Sequence, residues 1–182
     1  HYSDWWADPA HQTKPAAWSS LNRTQLAESV NAYTRNVLLA LKHQGTMPAM
    51  VQIGNEINPG MLWNDGRVGG SYDTNWTYFS SLLKQGISAV REVDSSGTCK
   101  VMIHYAGYNG AEWFYNKLLQ HQVVYDVIGL SYYLNWHGKN LDTLLQRMNR
   151  LEQLFQKDIM IAETAYPWTL QWNDWTNNIF GS

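Results

Sequence analysis

The sequence predicts an α/β fold of the (β/α)8-barrel type, incomplete within these 182 residues. Short apolar runs alternate with helix-period segments along the whole chain. The runs are almost continuously apolar, as in parallel strands buried on both faces. Polar or aromatic groups follow five of them at once. An open doubly wound sheet would place a Gly-rich nucleotide loop after its first strand, and none is present. A barrel instead gathers reactive residues at the C-terminal ends of several strands.

The elements follow in order. A first strand is expected to enter Asp4 over residues 1–4. Residues 21–44 read as a helix, with Leu26, Val30, Tyr33, Val37, Leu38 and Leu41 in phase and Gly45 as its stop. Residues 50–54 (MVQIG) form the next strand, followed by a long polar, Gly-rich stretch from Asn55 to Asp73. Residues 75–91 are helical, with Phe79, Leu82, Leu83, Ile87 and Val90 in phase; 100–105 is a strand. Then come a helix at 112–120, a strand at 124–133, a helix at 141–156 and a strand at 159–162. No linker or tandem repeat interrupts this order, so residues 1–182 read as one domain.

Composition narrows the function. Thirteen Lys and Arg against fifteen Asp and Glu give a net charge of −2, with no basic excess for a nucleic-acid partner. No run approaches the length of a membrane span. The single Cys99 excludes an internal disulfide and a multi-Cys metal site. Ten Trp and eleven Tyr against four Phe favour flat faces with a polar handle, which suit stacking on sugar rings.

Five strand ends carry chemistry: His1 to Asp4, Gly54-Asn55-Glu56, His104-Tyr105, Ser131-Tyr132-Tyr133, and the run from Ala162 to Tyr166. Glu56 and Glu163 stand out, each just past an apolar run. Two carboxylates across one cleft are what glycoside cleavage requires. One protonates the departing oxygen; the other attacks the anomeric carbon or activates water against it. Asn55 is placed to hydrogen-bond a sugar hydroxyl beside the scissile bond.

The chain resembles glycoside hydrolase family 53, the arabinogalactan endo-β-1,4-galactanases of clan A. The resemblance rests on HYSDWWADP at 1–9, KPAAW at 14–18, VQIGNEI at 51–57 and GMLW at 60–63. It continues through DVIGLSYY at 126–133, WHG at 136–138 and ETAYPWT at 163–169. It implies a retaining enzyme with Glu56 as acid/base and Glu163 as nucleophile. Tyr132 or Tyr133 would hydrogen-bond the nucleophile, and the sequence leaves that choice open. His1, Asp4 and His104 resemble cleft residues; Trp63, Trp136 and Trp168 are candidate sugar platforms. The family's barrel begins two strands before His1 and ends with an eighth strand after Ser182. These residues alone are therefore expected to be poorly soluble and inactive, with the strand entering Asp4 and the strand at 159–162 as open edges. Some relatives hold calcium in an acidic loop after the seventh strand. Residues 170–178 (LQWNDWTNN) lack alternating acidic ligands, so no metal is expected, nor any organic cofactor. A polysaccharide substrate further implies a secreted, periplasmic or cell-surface enzyme, monomeric at full length. The rivals are another clan A glycosidase, acting on xylan, mannan or glucan, and a non-catalytic glycan-binding protein on the same scaffold.

Overall fold

A computed structural model describes residues 1–166, 169 and 171. The helix α1 (Arg23–His43) starts where Asn22 and Gln25 cap it reciprocally. The Asn22 side chain accepts from the Gln25 N–H at 3.0 Å, and the Gln25 side chain accepts from the Asn22 N–H at 3.1 Å. The face it buries is Leu26, Val30, Thr34 and Leu38, while Tyr33 and Val37 are exposed. Strand β1 (Met50–Gln52) follows. A small antiparallel hairpin, β2 (Gly60–Met61) with β3 (Gly66–Arg67), then occupies the stretch read from sequence as irregular. Helix α2 (Trp76–Val93) packs along α1 and buries Phe79, Leu82, Leu83, Ile87 and Val90, the residues expected from their spacing. Gly86 in α2 is needed as glycine, since a Cβ there would sit 2.8 Å from the Tyr2 hydroxyl and 3.0 Å from Ile53.

Strand β4 (Lys100–Ala106), helix α3 (Ala111–Gln120) and strand β5 (Val127–Ser131) complete the centre. The short helix α4 (Leu134–His137), then α5 (Leu141–Phe155) and strand β6 (Asp158–Glu163), finish the described chain. The strands β1, β4, β5 and β6 pair in that order, all parallel. Every residue of β5 is buried, as a strand covered on both faces requires.

Two expectations are corrected. No strand forms at residues 1–4, so the described sheet has four strands and its edges are β1 and β6. Tyr2 is fixed by packing and by a 2.7 Å hydrogen bond to the Thr34 hydroxyl of α1, rather than by a ladder. In α5, Leu144 and Leu151 are buried while Leu141 and Leu145 are exposed. The arc is the (β/α)8-barrel type, and all its parallel strands point their C-terminal ends to one rim.

Candidate active site

At that rim a cavity of about 530 Å3 is lined by Trp6, Asp8, Pro9, Glu56, Tyr133, Trp136 and Glu163, among others. Glu56 reaches it through an unusual backbone. Gly54 and Glu56 both take left-handed conformations, φ 79° and 48°. Such a φ is costly for a residue with a Cβ. It persists because neighbours hold it: the Ile57 N–H donates to the His104 carbonyl, and the buried Gln12 amide donates to the Asn55 carbonyl at 2.7 Å. The result turns the Glu56 side chain inward, where only 9% of the residue is exposed.

Glu163 ends β6. Oxygens of Glu56 and Glu163 lie within 4.8 Å of each other, and a His104 nitrogen falls inside the same sphere. The Tyr133 hydroxyl donates to Glu163 Oε2 at 2.9 Å, whereas the Tyr132 hydroxyl turns away to the Gly138 carbonyl at 2.6 Å. The alternative left open by the sequence is thereby resolved in favour of Tyr133.

Ser131, at the end of β5, donates to Glu56 Oε1 at 2.5 Å and also contacts His104 Nε2 at 2.9 Å. The other ring nitrogen, Nδ1, faces Asn55 Oδ1 at 3.0 Å. His104 and Ser131 are both fully buried. Asn55 also donates to the Ala7 carbonyl at 2.8 Å, so in this structure its amide orients neighbours at the rim. Burial pushes the Glu56 carboxyl above the usual range; the Ser131 hydrogen bond opposes this, and the charges of Glu163 and Asp8 reinforce it. Burial and the Glu163 carboxylate raise the Tyr133 phenol to about 12, which keeps it a donor.

Glu56, His104 and Glu163 have the spacing of a metal-binding group. Both nitrogens of His104 are engaged by protein groups, Nδ1 by Asn55 and Nε2 by Ser131.

Not every expected residue reaches this cavity. His1 and Asp4 line a separate depression with Trp18 and Tyr33. There the Asp4 carboxylate accepts the Ala16 N–H at 2.7 Å, at the short 3-10 turn Ala16–Trp18. Trp63 is turned to the Pro59 carbonyl and stacks on Arg67, whose guanidinium lies 4.1 Å from its ring. Trp136 does line the cavity and is largely exposed. Trp168 lies outside the described residues. Sequence reasoning passed over Asp8, Gln12 and the role of Ser131. Asp8 and Ser131 sit inside the motifs at 1–9 and 126–133, which was the available signal.

A parallel βα arc carrying two facing carboxylates at its C-terminal rim is the architecture of the barrel glycosidases. The chain matches the family model of glycosyl hydrolase family 53 over residues 1–182 and belongs to that family. It is similar to an arabinogalactan endo-beta-1,4-galactanase of Cellvibrio japonicus, with 38% identity over 186 residues, covering 100% of this chain and 49% of that protein. Among solved structures, the Ignisphaera aggregans GH53 catalytic domain superposes with a TM-score of 0.89 at 45% identity, covering 100% of this chain and 49% of that one. A structure from a study of two fungal beta-1,4-galactanases gives 0.84 at 30% identity, covering 97% and 54%. The chain thus spans about half the length of the curated relatives it matches.

Proposed function

We propose that Glu56 and Glu163 carry out retaining endo-hydrolysis of β-1,4-galactosidic linkages in galactan or type I arabinogalactan. The observation that carries this is their separation, with oxygens within 4.8 Å. That suits direct attack, for which carboxyl groups stand about 5–5.5 Å apart, rather than the wider spacing of about 6.5–9.5 Å that an inverting site needs for its water. Glu163, held by Tyr133, attacks the anomeric carbon. Glu56 first protonates the leaving oxygen and then deprotonates water. Its raised pKa keeps it protonated for the first step, and the Ser131 hydroxyl steadies the carboxylate that follows.

The choice of galactan is supported by the names that the relatives carry. Trp136 beside the two glutamates supplies an exposed aromatic face for a sugar ring. No described helix is long and apolar enough to cross a membrane. A polymeric substrate cannot enter a cell, so we place the enzyme outside it, as one catalytic domain working as a monomer. The test uses the full-length protein carrying these residues. Potato galactan, xylan and mannan are compared for reducing-end release, and NMR follows the first anomer formed. Release of β-anomer from galactan alone is expected. Equal action on xylan would replace the substrate, α-anomer would replace the mechanism, and binding without release would leave a lectin.

A further inference from the structure

The hydrogen-bond directions around His104 can be followed atom by atom. The Asn55 amide nitrogen donates to the Ala7 carbonyl at 2.8 Å. Its oxygen accepts from the Gln52 amide nitrogen at 2.8 Å, and that nitrogen also donates to the Gly54 carbonyl at 2.9 Å. Backbone carbonyls only accept, so both amides are fixed in orientation. Asn55 Oδ1 therefore faces His104 Nδ1 at 3.0 Å, and that nitrogen must carry hydrogen. Glu163 Oε1, 3.9 Å from Nδ1, favours the same state. The Glu56 N–H also points at Nδ1, from a longer 3.4 Å, and the nearer Asn55 oxygen decides the direction.

On the other side of the ring, Ser131 Oγ has one hydrogen and two neighbours. With the Glu56 proton on the other oxygen, Oε2, the hydroxyl donates to Glu56 Oε1 at 2.5 Å. Its contact with Nε2 at 2.9 Å must then be donated by the ring. Both nitrogens act as donors, which only the imidazolium can do.

We propose that His104 is a resident cation shared by the two catalytic carboxyls, facing Glu163 directly and Glu56 through the Ser131 hydroxyl. The inference rests on the acid/base and nucleophile roles given above. In the resting enzyme Glu163 is negative, His104 positive and Glu56 neutral, its proton on Oε2, the oxygen Ser131 leaves free. A bond forms from Glu163 to the anomeric carbon as the glycosidic C–O bond breaks. The bonding pair goes to the leaving oxygen, which takes the Glu56 proton. Glu163 is then a neutral ester, Glu56 negative and His104 still positive. Water reverses this: its proton goes to Glu56, its oxygen bonds the anomeric carbon, and the pair of the broken ester bond returns to Glu163. The three groups sum to zero charge at every stage, so the buried cluster never holds an uncompensated ion.

His104 and Ser131 are both fully buried and do not meet the sugar, so they are positioning residues. Among the described residues, the other titratable groups at this cluster and its cavity are Asp8, whose charge acts on Glu56, Tyr133, bonded to Glu163, and His137, which lines the same cavity. Burial pulls the His104 pKa below the ordinary imidazole value, and the Glu163 charge pushes it up. The imidazolium thus belongs to the acid side, and activity should fall as pH rises through the His104 titration.

The experiment is 15N NMR of histidine-labelled full-length protein across the pH-activity profile, free and with Glu163 trapped by a 2-deoxy-2-fluoro-galactosyl donor. Hydrogen on both His104 nitrogens is expected on the acid side, with Nε2 losing its proton along the basic limb of kcat/KM. In the trapped enzyme Ser131→Ala should lower the proton affinity of His104 about tenfold, one pKa unit, while Ser131→Thr retains it. A bare Nε2 at every active pH would overturn the proposal, as would an unchanged titration in trapped Ser131→Ala. Failure of the donor to esterify Glu163 would instead overturn the nucleophile assignment beneath it. The two failures are seen in separate measurements.

Discussion

Replacing Tyr133 by Phe removes one atom from the site and tests how the nucleophile is held. The ring keeps its edge-on contact with Trp136, 5.1 Å between centroids, so packing is preserved. What disappears is the 2.9 Å hydrogen bond to Glu163 Oε2. A hydrogen bond to a charged acceptor is worth about 1.5–3 kcal/mol. If that bond orients Glu163 for attack, kcat on galactan should fall about ten- to a hundredfold, taking about 1.4 kcal/mol per factor of ten. Tyr132→Phe is the control. It removes the bond to the Gly138 carbonyl, a neutral pair, and should cost about 1 kcal/mol of stability with little change in kcat. Both variants would be measured in the full-length protein by reducing-end release and by thermal unfolding. A larger kcat loss in Tyr132→Phe than in Tyr133→Phe, at matched stability, would refute the assignment.

Glu163→Gln should abolish turnover on every substrate, read as no release even from an activated aryl galactoside. Glu56→Gln should lose about 10²–10⁴-fold on galactan but keep the first step on a dinitrophenyl leaving group, which needs little protonation. A burst of dinitrophenol checks it, and equal losses on both substrates would contradict the acid role. The raised pKa of Glu56 means that the folded state binds its proton more tightly than the unfolded chain. Its contribution to stability is present below the unfolded pKa and lost as pH rises through the folded one. Thermal unfolding of Glu56→Gln should therefore gain on the wild type as pH rises out of the carboxylate range, and a constant difference would refute this. Gly60→Ala would place a Cβ 2.0 Å from the Gly66 carbonyl oxygen across the β2–β3 hairpin, at a φ of 85°. A loss of about 1–3 kcal/mol in denaturant unfolding is expected, and wild-type stability would show that the hairpin yields freely.

The order of helices and strands was legible because each element buries a long apolar face. The spacing in α2, for example, named its buried residues directly. Both glutamates were legible for the same reason, since each terminates a run that has to be a strand. Residues 1–4 misled because an aromatic between polar groups satisfies a strand pattern. In the structure Tyr2 buries its ring against α1 and α2 without any ladder. The choice between Tyr132 and Tyr133 could not be read from their spacing. Adjacent residues point to opposite sides of a strand, and the pairing of β5 with β6 shifts register at Leu130 and Ser131, just before them. The contributions of Asp8 and Gln12 depend on a loop folding back over β1, which no local periodicity records.

The left-handed backbone at Glu56 sets local stability against chemistry at a single position. Glycine is the residue that φ of 48° would favour on conformational grounds. Glycine would also remove a carboxyl whose burial and acidic neighbours raise its pKa. Selection for thermostability alone would therefore drift toward discarding the acid/base, and a library screened only by melting temperature would enrich dead enzyme at position 56. Laboratory evolution of this scaffold has to couple its stability screen to turnover. The strain is a property of the working site, and relieving it would come at the expense of the reaction.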